Sequence, residues 1–262
     1  MPQRKRWIKS EDKILRKIYI GERKTIEEVA IILGRSPAAV FNRTSKLKIK
    51  KNPPKFKLPS LSCELARVHA HICGDGFFTI SREINKTGFH RRWGYDKGNF
   101  ASRHVVGYSN KNQRLINEFV EDVKKCFGIK PTVVKRNDGT YEARLKSKRT
   151  WEFLKNLGAG NSYSWKISKI FLEAPQKIKI AWIKAFFEDE AHFSKDGRIR
   201  VKSVNRKGLG QVKTLLHEFV PCHLTPQNRS YTDGTYYLNV LKSNRERFIL
   251  VFKLIKTTNL AT

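Results

Sequence analysis

Apolar positions along this chain fall into short blocks with either helical or alternating spacing, separated by Gly, Pro and Asp-Gly pairs. From Ser10 the run EDKILRKIYI places two acids in a first turn and Ile14, Leu15 and Ile18 on one side, which predicts a Ser-capped helix. Trp7 stands just before it, where it can pack back on the first turns. Thr25-Ile26-Glu27-Glu28 reads as a capping box opening a second helix with Ile26, Val29, Ala30 and Leu33, and Gly34 stops it. Ser36-Pro37 supply an N-cap and a first-turn proline for a third helix to about Lys48, with Val40, Thr44 and Leu47 inward. Residues 50–60, KKNPPKFKLPS, hold three prolines and predict a stiff, extended, basic linker.

Three short helices with a Gly turn before the last predict a helix-turn-helix domain over residues 1–49. Its early Trp, acid pair and LGRSPAAVFNRTSKL segment are similar to Myb-like modules. That resemblance implies DNA contacts from Ala38, Asn42, Arg43, Ser45 and Lys46 on the third helix, with Arg35 and Lys48 on phosphates. A three-helix bundle used for packing or protein contact is the other reading.

Beyond the linker the chain repeats itself. DGTYEARLKS begins at Asp138 and DGTYYLNVLKS at Asp233, one residue longer. Helical stretches precede the two copies (112–127 and 206–220) and follow them (149–157 and 244–254). Upstream in each half lies an apolar helix ending in acids, LARVHAHICGDGFF and AWIKAFFEDEAHF. Arg198-Ile-Arg-Val-Lys202 and Arg144-Leu-Lys146 alternate basic and apolar, which in a strand puts the cations on one face. Asp138-Gly139, Asp196-Gly197 and Asp233-Gly234 mark hairpin turns. Each half, 61–158 and 159–262, is therefore expected to run helix, two strands, helix, two strands, helix. The fold class is α+β: two such halves with saddle-shaped antiparallel sheets, plus the small all-α domain.

Charge turns this architecture toward a polyanion. The 262 residues carry 54 Lys and Arg against 23 Asp and Glu, a formal net charge of +31. Residues 1–58 hold 17 of these cations and 5 of the acids, so both parts of the chain are basic. Nucleic acid is the default partner of such a protein. No membrane-length apolar run and no leader-like N-terminus is seen, so a soluble intracellular protein is expected, cytoplasmic or nucleoid-associated in a prokaryote, or organellar. Four scattered cysteines without a CxxC pair read as reduced thiols. His69 and His71 point to different helix faces, and His217, Cys222 and His223 lack zinc-site spacing, so neither group is expected to bind metal. Met1 and the Ala261-Thr262 end lack the nucleophile and His-Asn signature of a self-excising protein, which points to a free-standing one.

One carboxylate per half at the tip of an apolar helix is an unfavourable arrangement, because the helix dipole is negative there. A cation between the two would offset it. At these residues the chain resembles the LAGLIDADG homing endonucleases in their single-chain, two-motif form. Asp75-Gly76 and Glu190-Ala191 match the last two motif positions, and Ala70 and Ala185 match the small residue that lets the motif helices pack closely. His69, His71, Asp189 and Ala191 depart from the usual motif. The resemblance implies catalytic Asp75 and Glu190 holding Mg²⁺ (or Mn²⁺), with Gly74 and Asp189 beside them as further ion contacts, each acid serving one DNA strand. Lys146 and Lys242, in the matching LKS segments, are candidates for the supporting basic residues; plain phosphate contact is the alternative. Sequence readout is expected from Arg82, Arg103, Lys135, Arg136 and Arg144 in one half. Arg198, Arg200, Lys202, Gln227 and Arg229 do the same in the other. Arg91 and Arg92 lie in a long loop, 85–99, without counterpart in the second half. The expected protein is a monomeric, metal-dependent site-specific endonuclease on double-stranded DNA. Two alternatives keep the basic groove without DNA cleavage: a DNA-binding regulator or an RNA maturase acting on intron RNA. A basic ribosome-associated or architectural protein is a third.

Overall fold

The computed structural model of the chain describes residues 6–22, 24–49, 56–84, 100–225 and 234–254, the side chains at 81–84 and 100–102 excepted. The chain divides into two units, Met1–Lys55 and Phe56–Thr262.

In the smaller unit α1 (Lys9–Arg16) runs on through a wide π-type turn, Lys17–Gly21, and is followed by α2 (Ile26–Leu33) and α3 (Pro37–Lys46). Ser10 is not the cap of α1. The Glu11 carboxylate accepts the Ile8 N–H at 3.1 Å, so the helix opens before Ser10 and takes it inside. The expected capping box of α2 forms: Thr25 Oγ1 accepts the Glu28 N–H at 3.2 Å, and Glu28 Oε2 accepts the Thr25 N–H at 2.6 Å. Gly34 ends α2 at φ +58°, a left-handed conformation that glycine adopts without strain. Ser36 Oγ accepts the Ala39 N–H at 3.2 Å and opens α3. Leu15, Ile18, Val29, Ala30, Val40 and Ile49 make the core, whereas Ile14, expected inward, is 43% exposed.

The larger unit is two copies of one pattern. In the first, α4 (Cys63–Cys73), β1 (Gly76–Ile84), β2 (Phe100–Asn110), α5 (Gln113–Phe127), β3 (Thr132–Lys135), β4 (Tyr141–Lys146) and α6 (Lys148–Asn156) follow in order. After a short α7 (Lys169–Leu172), the second copy comprises α8 (Gln176–Glu190), β5 (Ala191–Phe193), β6 (Ile199–Ser203), α9 (Arg206–His217), β7 (His223–Leu224), β8 (Tyr236–Val240) and α10 (Arg245–Phe252). Both sheets are antiparallel and have the same strand order, β1-β2-β4-β3 and β5-β6-β8-β7. Their registers correspond as well: Gly76 lies opposite Tyr108 and Tyr108 opposite Ala143, as Ala191 lies opposite Val201 and Val201 opposite Leu238. Phe56 belongs to this unit, its ring against Phe127. Among the described residues no helix is long and apolar enough to cross a membrane.

The two copies meet along α4 and α8, which pack against each other inside one continuous core with Ala70 and Ala185 fully buried. His69 is enclosed here. Trp182 donates its indole N–H to His69 Nδ1 at 3.0 Å, and His69 Nε2 lies 3.0 Å from the Leu157 carbonyl. One nitrogen must accept and the other donate, which is what a neutral imidazole offers. Burial pushes its pKa down to about 4. The Phe171 ring and Cys73 also lie against it, and burial dominates its titration.

Because the unfolded chain takes up a proton near pH 6.5 that folded His69 refuses, acidification from pH 6.5 to 4 favours unfolding, by about 3 kcal/mol. Urea unfolding across that range will show His69→Gln to have a flatter stability–pH curve than the parent chain.

Candidate nucleic-acid interface and acid pair

The ends of α4 and α8 adjoin. Gly74, just past α4, lies so close to α8 that a Cβ there would sit 3.0 Å from Asp189 Oδ2 and 3.1 Å from Asp189 Cβ. Asp75 and Glu190 are the next residues in the two halves, one Cα step of about 3.8 Å beyond this contact. Asp75 is exposed and accepts the Asn110 side-chain N–H at 3.0 Å; Glu190 is half-buried. A glycine at 76 is required, since a Cβ would strike the Ile72 backbone at 2.3 Å; Ala191 fills the matching place in the second half.

Asp189 is not placed as an ion ligand. Its side chain is fully buried, and both oxygens are taken: Tyr108 donates its hydroxyl to Oδ1 at 2.6 Å, and His71 Nδ1 lies 2.8 Å from Oδ2. Burial alone would lower the His71 pKa, but the Asp189 charge and hydrogen bond more than offset it and the net shift is upward. Gly74, the other expected ion contact, supplies the space this carboxylate occupies. Glu188 is likewise engaged, accepting Arg114 at 2.8 Å. Among the described residues no group of three or more His, Cys, Asp and Glu is placed to hold a metal ion. Two adjoining acids do not make a protein cage for a cation, but they suit one that keeps its waters and shares a phosphate.

Lys146, the last residue of β4, and Lys242, in the short 3-10 turn (Lys242–Asn244) that follows β8, are both exposed. By register Lys146 is level with Val105 and Thr79, three residues along from the Gly76–Tyr108–Ala143 row and two strands across from β1. That separates its backbone from Gly76 by roughly 14 Å. The Lys242 stem lies across Gly197, on the turn between β5 and β6.

The sheet faces carry the expected cations, and on each face two arginines share one carboxylate. In β4 Ala143 and Leu145 are buried while Arg144 and Lys146 are exposed. Buried Glu142, on the same face, pairs with both Arg144 and Arg136, and these guanidiniums hold its carboxyl below the usual range despite burial. In β6 Ile199 and Val201 are fully buried, and Arg198, Arg200 and Lys202 lie outward. Arg198 and Arg200 share Asp196, which accepts Arg198 Nε at 2.7 Å and Arg200 at 3.2 Å. Arg198, Arg200, His223, Tyr237, Asn239 and Leu241 line a groove on this face. Lys135 Nζ stands 5.3 Å over the Tyr141 ring, and Arg103 is exposed on β2. Arg82 takes its place on β1 opposite Ser102. Arg91, Arg92, Gln227 and Arg229 lie outside the described residues.

No family model and no curated protein matches the sequence. Solved structures do. A mesophilic variant of the homing endonuclease I-DmoI is 20% identical, covering 73% of this chain and 90% of its own, with a TM-score of 0.54. I-DmoI in complex with DNA and Mn is 18% identical, covering 75% and 100%, with a TM-score of 0.54. This chain carries the LAGLIDADG homing endonuclease fold. In this chain α4 and α8 are the helices that meet at the centre of the two copies, and Asp75 and Glu190 stand at their C-terminal ends.

The smaller unit departs from expectation at two of its DNA-contact candidates. Arg35 binds Glu11 through two nitrogens (2.7 and 3.2 Å), donates to the Arg6 carbonyl at 2.8 Å and lies 4.5 Å over the Trp7 ring. Arg43 pairs with Asp12, its Nε 2.8 Å from Oδ1, on the same indole at 5.5 Å. Glu11 therefore ties α1 to the turn between α2 and α3 and Asp12 ties it to α3, and these arginines are spent inside the unit. Exposed on α3 are Ala38, Phe41, Asn42, Ser45 and Lys46, one stripe at helical spacing. Arg43→Ala is expected to lower the stability of this unit by about 1–3 kcal/mol in a urea melt, while Asn42→Ala stays within about 0.5 kcal/mol of the parent.

Proposed function

We propose that this protein is a site-specific endonuclease that hydrolyses both strands of a DNA duplex, with Asp75 and Glu190 each contributing to a divalent-cation site. The observation that carries this reading is the adjoining of the two motif tips through Gly74 and Asp189, one acid following from each pseudo-symmetric half. Mg²⁺ or Mn²⁺ held by these carboxylates and by phosphate oxygens would supply a nucleophilic water at neutral pH and stabilise the leaving oxygen. The residues around it have their own tasks. Asn110 orients the Asp75 carboxylate through its side-chain amide. Arg136, Arg144, Arg198 and Arg200 on the sheet faces meet the duplex, pre-aimed by Glu142 and Asp196. Lys146 and Lys242 meet phosphates. I-DmoI, with the same fold, has been crystallised with its DNA and Mn, which supports the choice of ligand. The smaller unit adds a second contact to the duplex through the α3 stripe, and the chain acts as a monomer because both halves are on it.

The test is selection of cleaved sites from a randomised duplex library in Mg²⁺. Asp75→Asn and Glu190→Gln should each lower the cleavage rate by about 100-fold or more, with duplex affinity changed less than tenfold. Sequence-specific binding by the parent chain with no cleaved product would overturn the enzyme in favour of a regulator. Binding without sequence preference that collapses with salt would overturn both.

A further inference from the structure

We propose that the buried cluster His71–Asp189–Tyr108 is a positioning device that fixes the separation of Asp75 and Glu190 and thereby the affinity for the divalent cation. This rests on the reading of the two acids as a cation site. The cluster connects the halves at the level of those acids. Asp189 immediately precedes Glu190; Tyr108 is the cross-strand partner of Gly76, which follows Asp75; His71 lies one helical turn before Asp75. Donors from the first half thus hold an acceptor from the second at 2.6 and 2.8 Å, with the carboxylate fully enclosed.

The fold does not need this arrangement. Aligning the two acids puts Phe186 where the first half has His71 and Gly74 opposite Asp189. The sheet registers put Val201 in the place of Tyr108. At the equivalent positions the second half has Phe186 and Val201, both buried, with Gly74 of the first half in place of a carboxylate. A buried ion pair is commonly no more stabilising than apolar groups of the same volume. What it adds is directional: one hydrogen bond from α4 and one from β2 that resist displacement of the end of α8. Groups that orient metal ligands from behind typically change metal affinity or activity 10–100-fold when removed.

The full chain with its selected duplex tests this through Mn²⁺ affinity, measured by the free-ion electron paramagnetic resonance signal, alongside the Mg²⁺ dependence of cleavage. Tyr108→Phe keeps the ring and removes one donor; Asp189→Asn keeps the shape and removes the charge. Each is expected to weaken Mn²⁺ binding and raise the half-saturating Mg²⁺ about tenfold or more. Duplex affinity without divalent ion should stay within about twofold, and saturating Mg²⁺ should restore most of the rate. Unchanged Mn²⁺ affinity in both variants, whatever happens to the melting temperature, would make the cluster a packing feature and overturn the proposal. A parent complex that binds Mn²⁺ without cutting would defeat the nuclease reading yet leave the affinity comparison decisive. A parent complex that binds no Mn²⁺ would overturn both.

Discussion

The close approach of α4 to α8 governs the rest of this molecule. Two helices can lie this near only where small side chains face each other, and Ala70, Ala185 and Gly74 supply them. Once that contact is made, the helix tips, the strands that follow them and the acids between are fixed relative to one another. The sheets then extend on either side with their apolar faces on a shared core and their cationic faces outward.

Much of this was legible in the residues. Caps at Thr25 and Ser36, the Gly34 stop, the repeated DGTY–LKS strands and the acid-tipped apolar helices each rest on interactions within a few positions, and the structure contains them. The α+β class and the paired four-stranded sheets follow from the same local signals. What was not legible depends on partners far away in the chain. The Myb-like resemblance implied a groove contact for Arg43 and a phosphate contact for Arg35, but Asp12 and Glu11, more than twenty positions earlier, claim them. Asp189 was expected as an ion contact, but Tyr108 and His71 close over it. A clue was present in the motif itself: a histidine at an apolar position and an acid at a small-residue position, each odd alone, compensate one another. Glu142 offered a similar clue as the lone acid in an alternating strand.

The duplication also makes departures readable. Where both halves keep a feature, as with strand order, register and the acid at the helix tip, the fold or its chemistry accounts for it. Where only one half has it, the shared architecture cannot be the reason. The His71–Asp189–Tyr108 cluster is of the second kind, and so are the different sources of the carboxylates that hold the outer arginines: mid-strand Glu142 in one sheet, hairpin Asp196 in the other.

Those two carboxylates carry a consequence for mutagenesis of the outer faces. Each is masked by a pair of guanidiniums, so trimming either arginine unveils negative charge toward an approaching polyanion. The apparent importance of Arg136, Arg144, Arg198 or Arg200 in a scan would then combine a lost attraction with a newly created repulsion. Only swapping acid and base together, as in a neutral glutamine pair, would separate the two.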